Sequence, residues 1–360
     1  MSLEYMRAAT VHIGGRGYPV LAGAGLLDRL GEAIAEYIPS ATGCVLVTSP
    51  QVDALYGMRA MTSLESLHPR KVMIPEGEEA KTWDAAGELL GSLIKQGLDR
   101  KGVVVALGGG SVGDSAGFAA SLYMRGIRVV QIPTTLLGQV DSSVGGKTAI
   151  NHPTGKNLIG TFHQPGLVAC DTGLLSTLPR RELLSGLAEV VKYGVIADAK
   201  LYVGVEAEAE KLLSVDPEAM RRVVARCVAA KAHFVESDER DERGVRAALN
   251  YGHTLGHAVE TLSGHSIRHG EAVAIGMVAA SRVAVALGLL KKPDLERQLT
   301  LLGRLGLPTE SPYEVDEVIP LMSRDKKAES GSIRLVLPKV IGGEPAIRVV
   351  SEAEIRGALA

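Results

Sequence analysis

The chain has 360 residues, of which 46% are hydrophobic and 4% aromatic, with a formal net charge of −2. That length suits two domains, the apolar fraction excludes a disordered protein, and aliphatic side chains must fill most of the core. The near-neutral charge excludes a general basic field for nucleic acid or an anionic membrane, so an anionic ligand must be met by local cations.

Cys44, Cys170 and Cys227 are too scattered for a CxxC metal site and too few for a disulfide framework, which fits a reducing, cytoplasmic setting. Met1 to Gly15 lacks the pattern of a signal peptide, and the apolar stretch Ala272 to Ala280 is cut off at Arg282, so no membrane span is expected.

In chain order, Cys44–Thr48, Lys71–Ile74, Val103–Leu107 and Val129–Ile132 read as buried parallel strands. A helix is expected from Trp83 to Leu98, with Trp83, Ala86, Leu90, Leu93 and Ile94 on its apolar face. After about Pro179 the texture turns helical, over 180–197, 199–213, 217–237, 250–262, 271–289 and 293–305. Only Ile333–Leu337 and Ile347–Val350 look like strands there. The fold class is therefore α/β: a doubly wound, Rossmann-like parallel sheet over 1–178, then a mostly α-helical domain over 179–360, with the active site expected in the interdomain cleft.

The run Val103–Leu107 ends in Gly108-Gly109-Gly110-Ser111-Val112-Gly113-Asp114, with a helix expected from about Ser115. Strand, glycine turn, helix presents backbone N–H groups to a diphosphate, although the same residues can serve as a plain tight turn. Pro75-Glu76-Gly77-Glu78-Glu79-Ala80-Lys81 and Pro133-Thr134-Thr135 follow the neighbouring strands, so all three loops lie at strand carboxyl ends. Glu78 suits ribose hydroxyls and Lys81 a phosphate. Gly145-Gly146-Lys147-Thr148 is no nucleoside-triphosphate loop, because the glycine required six residues before the lysine is Asp141.

Asn250, His253, His257 and Glu260 recur on one face of the expected helix, and Arg246 joins them if the helix begins a turn earlier. His253 and His257 at i, i+4 could share a metal; His269 and Glu189 are further candidates, and the HExxH pattern is absent. Glu189 and Lys192 lie in a helix apolar nearly all round, so they form either a buried ion pair or part of a metal site. Lys231 shares a stripe with Val224, Cys227, Val228 and Val235, which leaves it snorkelling to the surface or meeting an anion. With Lys147, Lys156, Lys192, Arg246, Lys326 and Lys327 it suggests a substrate bearing more than one negative group.

The stretch Gly108 to Pro165 resembles the core of 3-dehydroquinate synthases, as do Gly186–Gly194 (GLAEVVKYG), Asn250–Glu260 (NYGHTLGHAVE), His269–Met277 (HGEAVAIGM) and Asp325-Lys326-Lys327. The resemblance runs in order from about Pro75 to Pro338. It implies a divalent metal, zinc or cobalt, on Glu189, His253 and His269, with His257 beside the substrate. It also implies NAD against Glu76, Gly77, Glu78 and Lys81, against Gly110, Ser111, Val112, Gly113 and Asp114, and against Thr134, Thr135, Lys147, Lys156 and Thr177. Substrate contacts implied are Asp141, Lys147, Asn157, Lys192, Lys231, Arg246, Asn250 and His257, plus Lys326 or Lys327. Arg125 matches an arginine that reaches the neighbouring subunit's site, which implies a homodimer.

The chemistry implied is conversion of 3-deoxy-D-arabino-heptulosonate 7-phosphate to 3-dehydroquinate and phosphate, a lyase reaction of the shikimate pathway. Its stages are oxidation by NAD, phosphate elimination, reduction, ring opening and aldol closure. Other sugar phosphate cyclases (valiolone or deoxy-inosose type), a metal-dependent polyol dehydrogenase and a non-catalytic NAD-binding protein are the alternatives. Two departures from the pattern are Gly138, where alanine is usual, and Thr161-Phe162-His163.

Overall fold

The computed structural model describes residues 2–3, 6–264, 266–322 and 332–359. Lys326 and Lys327 therefore lie outside the described residues. The chain divides into two compact units: Met1–Leu178 with Met220–Arg240, and Pro179–Ala219 with Asp241–Ala360.

The first unit is built on strands β1 (Arg7–Ile13), β2 (Arg16–Gly23), β3 (Cys44–Thr48), β4 (Arg70–Met73), β5 (Val103–Gly108), β6 (Arg128–Pro133) and β9 (Leu167–Asp171). They form one sheet in the order β1-β2-β9-β6-β5-β3-β4. Only β1 with β2 is antiparallel; the other pairs are parallel. A separate antiparallel hairpin joins β7 (Lys147–His152) to β8 (Gly155–Phe162).

Alternation along the central strands explains why both faces are covered. Cys44, Leu46, Val103, Val105 and Leu107 pack on one side with α1 (Leu30–Tyr37). Val45, Val47, Val104 and Ala106 point the other way, toward α4 (Trp83–Lys95) and α5 (Gly110–Leu122). Between α1 and α4 come the short helices α2 (Pro50–Val52) and α3 (Met58–Ser63). The chain runs outward from β3 to β4 and then crosses to β5 on β3's other side. The strand order thus switches direction between β3 and β5, the point at which open α/β sheets bind ligands.

Three sequence expectations change here. The helix after β5 begins at Gly110, not near Ser115, so Gly110 to Asp114 form its first turn. Glycine has low helix propensity, so the run reads as loop from sequence. Trp83 and Ile94 are exposed, and α4 buries Ala85, Ala86, Leu89 and Leu93 instead. Strands β1, β2, β7, β8 and β9 are additions to the expected set.

The second unit contains α6 (Arg180–Ile196), α7 (Ala199–Leu213), α9 (His253–Leu262), α10 (His269–Ala286), α11 (Lys292–Leu305), α12 (Val315–Met322) and α13 (Glu352–Leu359). One antiparallel pair, β10 (Ser332–Leu337) with β11 (Ala346–Ser351), completes it. Most of α8 (Pro217–Ser237) groups with the first unit, where Glu236 accepts from the His12 N–H at 2.7 Å and Gln164 donates to Glu239 at 3.2 Å. Among the described residues, no helix is long and apolar enough to cross a membrane.

Candidate active site

In the second unit three helices bring together residues remote in sequence. Helix α6 is buried from Ser185 through Ile196, because both of its faces are apolar. Within it Glu189 is 0% and Lys192 1% exposed. Lys192 Nζ sits 2.5 Å from Glu189 Oε2 and lies over the Tyr193 ring. The other oxygen, Oε1, faces His253 Nε2 at 3.6 Å and His269 Nε2 at 3.4 Å. The carboxylate thus faces an ammonium on one oxygen and two imidazoles on the other, so the ion pair is present and the arrangement is compatible with a metal site as well.

Close helix packing makes this convergence possible. A Cβ on Gly276 of α10 would stand 1.8 Å from the Gly252 carbonyl oxygen, and one on Gly270 would stand 2.3 Å from the Ser185 backbone. Only glycine permits such approach. The first contact draws α9 onto α10 and the second draws the start of α10, with His269, onto α6. Ser185 Oγ also accepts from the Gly270 N–H at 3.0 Å.

Helix α9 starts at His253, after Gly252 at φ +80°. Asn250 and Arg246 therefore sit on the preceding 3-10 turn Val245–Asn250, not on the helix face expected for them. Arg246 is buried, while Asn250 and His257 are exposed. His257 lies with its ring centroid 5.3 Å from that of His253, the same separation as His253 from His269. It is outside the group whose ligand atoms all lie within 4.8 Å, which is Glu189, His253 and His269.

Two imidazole nitrogens and one carboxylate oxygen are an ordinary donor set for a catalytic zinc or cobalt ion. Bonds of about 2.1 Å in a tetrahedron place ligand atoms about 3.4 Å apart, close to the two Glu189–histidine separations. The second nitrogens of both rings are occupied as a metal site requires. His253 Nδ1 meets the Tyr251 carbonyl at 3.1 Å, and His269 Nδ1 meets Glu260 Oε2 at 3.4 Å. Burial holds the His253 imidazole down, at about 3. Burial also opposes the charging of His269, but Glu189 and Glu260 outweigh it and raise the ring to about 9. Glu260 is the residue the sequence reading left without a role; its place one turn beyond His257 was the available signal.

In the first unit, the loops after β4, β5 and β6 carry the residues expected to meet a dinucleotide. Gly109 is the N-cap of α5 and offers no side chain to its first-turn N–H groups. The helix lies close on the sheet, since a Cβ at Gly113 would come 2.7 Å from Gln131 Oε1. Lys81, 4% exposed, bonds Asp114 at 2.6 Å and also the Asn157 side-chain oxygen. Burial pushes the Asp114 carboxyl up, against the pull of Lys81. Glu76 accepts from the Gln51 N–H at 2.6 Å, and Gly77 opens the turn that carries Glu78. Thr134 is buried and Thr135 partly so; Thr135 Oγ1 accepts from the Gly138 N–H at 3.0 Å. At Gly138 a Cβ would come 2.9 Å from Pro133, so the usual alanine needs a local shift. Thr177 ends the 3-10 turn after β9 and bonds the Tyr56 hydroxyl.

Lys231, 6% exposed, does not snorkel: its ammonium bonds the Asp141 carboxylate and, at 2.6 Å, the Asp141 carbonyl. Lys147 and Lys156 are exposed on the β7–β8 hairpin. Arg125 is exposed at the end of the 3-10 turn Tyr123–Arg125, where Met124 and Arg125 have positive φ, at 49° and 70°, as does Gly126 just after it, at 112°.

Two family models match in succession, 3-dehydroquinate synthase N-terminal over residues 71–185 and 3-dehydroquinate synthase C-terminal over 186–328. The chain belongs to the 3-dehydroquinate synthase family. Within that family, a protein named 3-dehydroquinate synthase from Desulforamulus reducens is 46% identical over 98% of this chain and 99% of its own. Two solved structures of related cyclases resemble the fold. A 2-deoxy-scyllo-inosose synthase complexed with carbaglucose-6-phosphate, NAD+ and Co2+ matches with TM-score 0.88 at 27% identity, covering 98% of each chain. A 2-epi-5-epi-valiolone synthase from Streptomyces hygroscopicus subsp. jinggangensis, with NAD+ and Zn2+ bound, matches with TM-score 0.85 at 30% identity over 97% of each.

Proposed function

We propose that the chain catalyses the conversion of 3-deoxy-D-arabino-heptulosonate 7-phosphate to 3-dehydroquinate and phosphate, as a lyase of the shikimate pathway using NAD and one zinc or cobalt ion. The observation that carries this is the convergence of Glu189, His253 and His269 in a chain 46% identical end to end to a curated relative of that name. When bound, the metal supplies Lewis acidity toward a substrate hydroxyl and the dinucleotide takes and returns a hydride.

The chain's own residues then have these roles. Glu189, His253 and His269 hold the ion. Glu76 to Lys81, Gly110 to Asp114, Thr134, Thr135, Lys147, Lys156 and Thr177 hold the dinucleotide. Lys231, Lys192 and Arg246 are the buried cations that meet the substrate's carboxylate and phosphate, with Asp141, Lys147, Asn157, Asn250 and His257 fixing its hydroxyls. The residues around the dinucleotide would hold it in place and exclude water from it.

A cytoplasmic homodimer is part of the proposal. Three free, buried cysteines suit a reducing compartment. An exposed arginine held in a left-handed turn, Arg125, suits a residue offered to a neighbouring subunit. The polyol dehydrogenase and the other cyclases are the competing readings, and the matched family model and the higher identity to the curated synthase favour dehydroquinate formation over both.

The test is phosphate release from the heptulosonate phosphate, with and without a chelator. Release that stops with chelator, without accumulation of NADH, is the expected result. Net NADH formation, or no phosphate, defeats the proposal. Glu189→Ala and His269→Ala are each expected to abolish turnover and to lower bound metal.

A further inference from the structure

The β7–β8 hairpin carries two asparagines in an unusual arrangement. Asn157 has φ +57°, a left-handed conformation that asparagine tolerates better than most residues. Its N–H donates to Asn151 Oδ1 at 3.0 Å, and its side-chain oxygen accepts from the Lys81 ammonium. The other end of the Asn151 amide leaves the hairpin: Nδ2 donates to Glu78 Oε2 at 2.6 Å. Glu78 and Lys81 both belong to the 3-10 turn Gly77–Lys81 after β4. Lys81 is itself fixed by Asp114 in the first turn of α5. The turn and the hairpin are thus joined at two points, and each passes through Asn157 or its backbone partner.

The Asn151 to Asn157 bond is internal to the hairpin, whereas the Glu78 bond lies outside the strand pairing and ties the hairpin to the Gly77–Lys81 turn. We propose that Asn151 is a positioning residue. With Lys81 it locks Asn157 in its left-handed conformation against the turn Gly77–Lys81, so that the dinucleotide-holding turn and the substrate-contacting asparagine are set as one unit. This rests on the reading above that Asn157 touches substrate and that the turn holds the dinucleotide.

The chemistry of the amide allows a test by exchanging donor and acceptor. Asn151→Asp keeps the oxygen that accepts from the Asn157 N–H but turns the donor toward Glu78 into a second carboxylate. Adding Glu78→Gln restores a donor–acceptor pair with its direction reversed. Steady-state kinetics at saturating NAD are measured for the parent, Asn151→Asp, the Asn151→Asp/Glu78→Gln pair and Asn157→Ala, with NAD affinity measured separately. Asn151→Asp is expected to raise KM for the heptulosonate phosphate about tenfold, the scale of one hydrogen bond to a charged group. Its kcat and metal content are expected to stay near the parent's. The double variant is expected to recover part of that KM rise relative to Asn151→Asp at saturating NAD, while its NAD affinity falls because Glu78 itself belongs to the dinucleotide-holding turn. A purely structural role for Asn151 predicts a lowered thermal midpoint in Asn151→Asp with no selective rise in KM. If Asn157→Ala leaves KM unchanged, the reading of Asn157 as a substrate contact fails and the positioning role falls with it. If Asn157→Ala raises KM while Asn151→Asp does not, or the double variant shows no recovery, the positioning role fails and the reading of Asn157 stands.

Discussion

Replacing Glu260 with alanine removes the carboxylate that faces His269 Nδ1 at 3.4 Å, while leaving Glu189, His253 and His269 in place. Outer-sphere partners of this kind orient the ring and raise its basicity, and their loss typically weakens metal binding about 10- to 100-fold. That corresponds to about 1.4–2.7 kcal/mol. The separation is at the long end for a hydrogen bond, so the expected loss lies toward the lower figure. Glu260→Gln keeps an acceptor but loses the charge and should fall between the parent and the alanine variant. The assay is competition with a chromophoric chelator, read on zinc, and the visible absorption of the cobalt-loaded protein, which reports ligand geometry. A graded series, parent above glutamine above alanine, is the expected result. Unchanged affinity in Glu260→Ala would refute the assignment, since it would show His269 needs no partner on its second nitrogen.

Two further outcomes follow from the packing. Gly270→Ala places a Cβ 2.3 Å from the Ser185 backbone, so α10 must move by about 1 Å to reach ordinary contact. A displacement of that size at a reacting centre costs about a hundredfold in rate; kcat and metal content should fall together, whereas Gly303→Ala, where a Cβ meets nothing within 4 Å, should leave both unchanged. Lys231→Met keeps the aliphatic stem but leaves the Asp141 carboxylate without its buried ammonium. Breaking such a pair costs about 3–5 kcal/mol, and the partial exposure of Asp141 favours the lower end, read as a fall in the urea midpoint.

How far the sequence reached depended on whether the determining interactions were local. The central strands were legible because they are buried on both faces and read as unbroken apolar runs such as CVLVT and VVVAL. Strands β1, β7 and β8 were not legible, since their mixed exposure interleaves polar residues and gives no such run. Trp83 misled by its type: an exposed aromatic at a helix start obeys no periodicity. In the second unit, helical spacing pointed to His253 with His257, and those rings do lie near each other. What separates His257 from His269 is Glu189, which arrives from α6, and the glycine contacts that bring α6 to α10 appear in sequence only as small residues. The family resemblance implied the grouping of Glu189 with His253 and His269, and the structure brings those three side chains together, whereas helical spacing alone gave no sign of it.

Three lysines illustrate what burial adds to such a reading. Lys81, Lys192 and Lys231 are 4%, 1% and 6% exposed, and each stands against a carboxylate: Asp114, Glu189 and Asp141. A cation at that depth is tolerated only when paired. The pairs are also unequal. Lys192 shares Glu189 with two imidazoles, so a divalent cation on Glu189 would weaken the hold of that carboxylate on the lysine. With Glu189 holding the ion and Lys192 meeting the substrate's anion, as proposed above, metal binding and anion binding would be linked in the second unit through one side chain. Inorganic phosphate should bind the metal-loaded protein more tightly than the metal-free protein, by a coupling that Lys192→Met removes while Glu189, His253 and His269 still take up the ion.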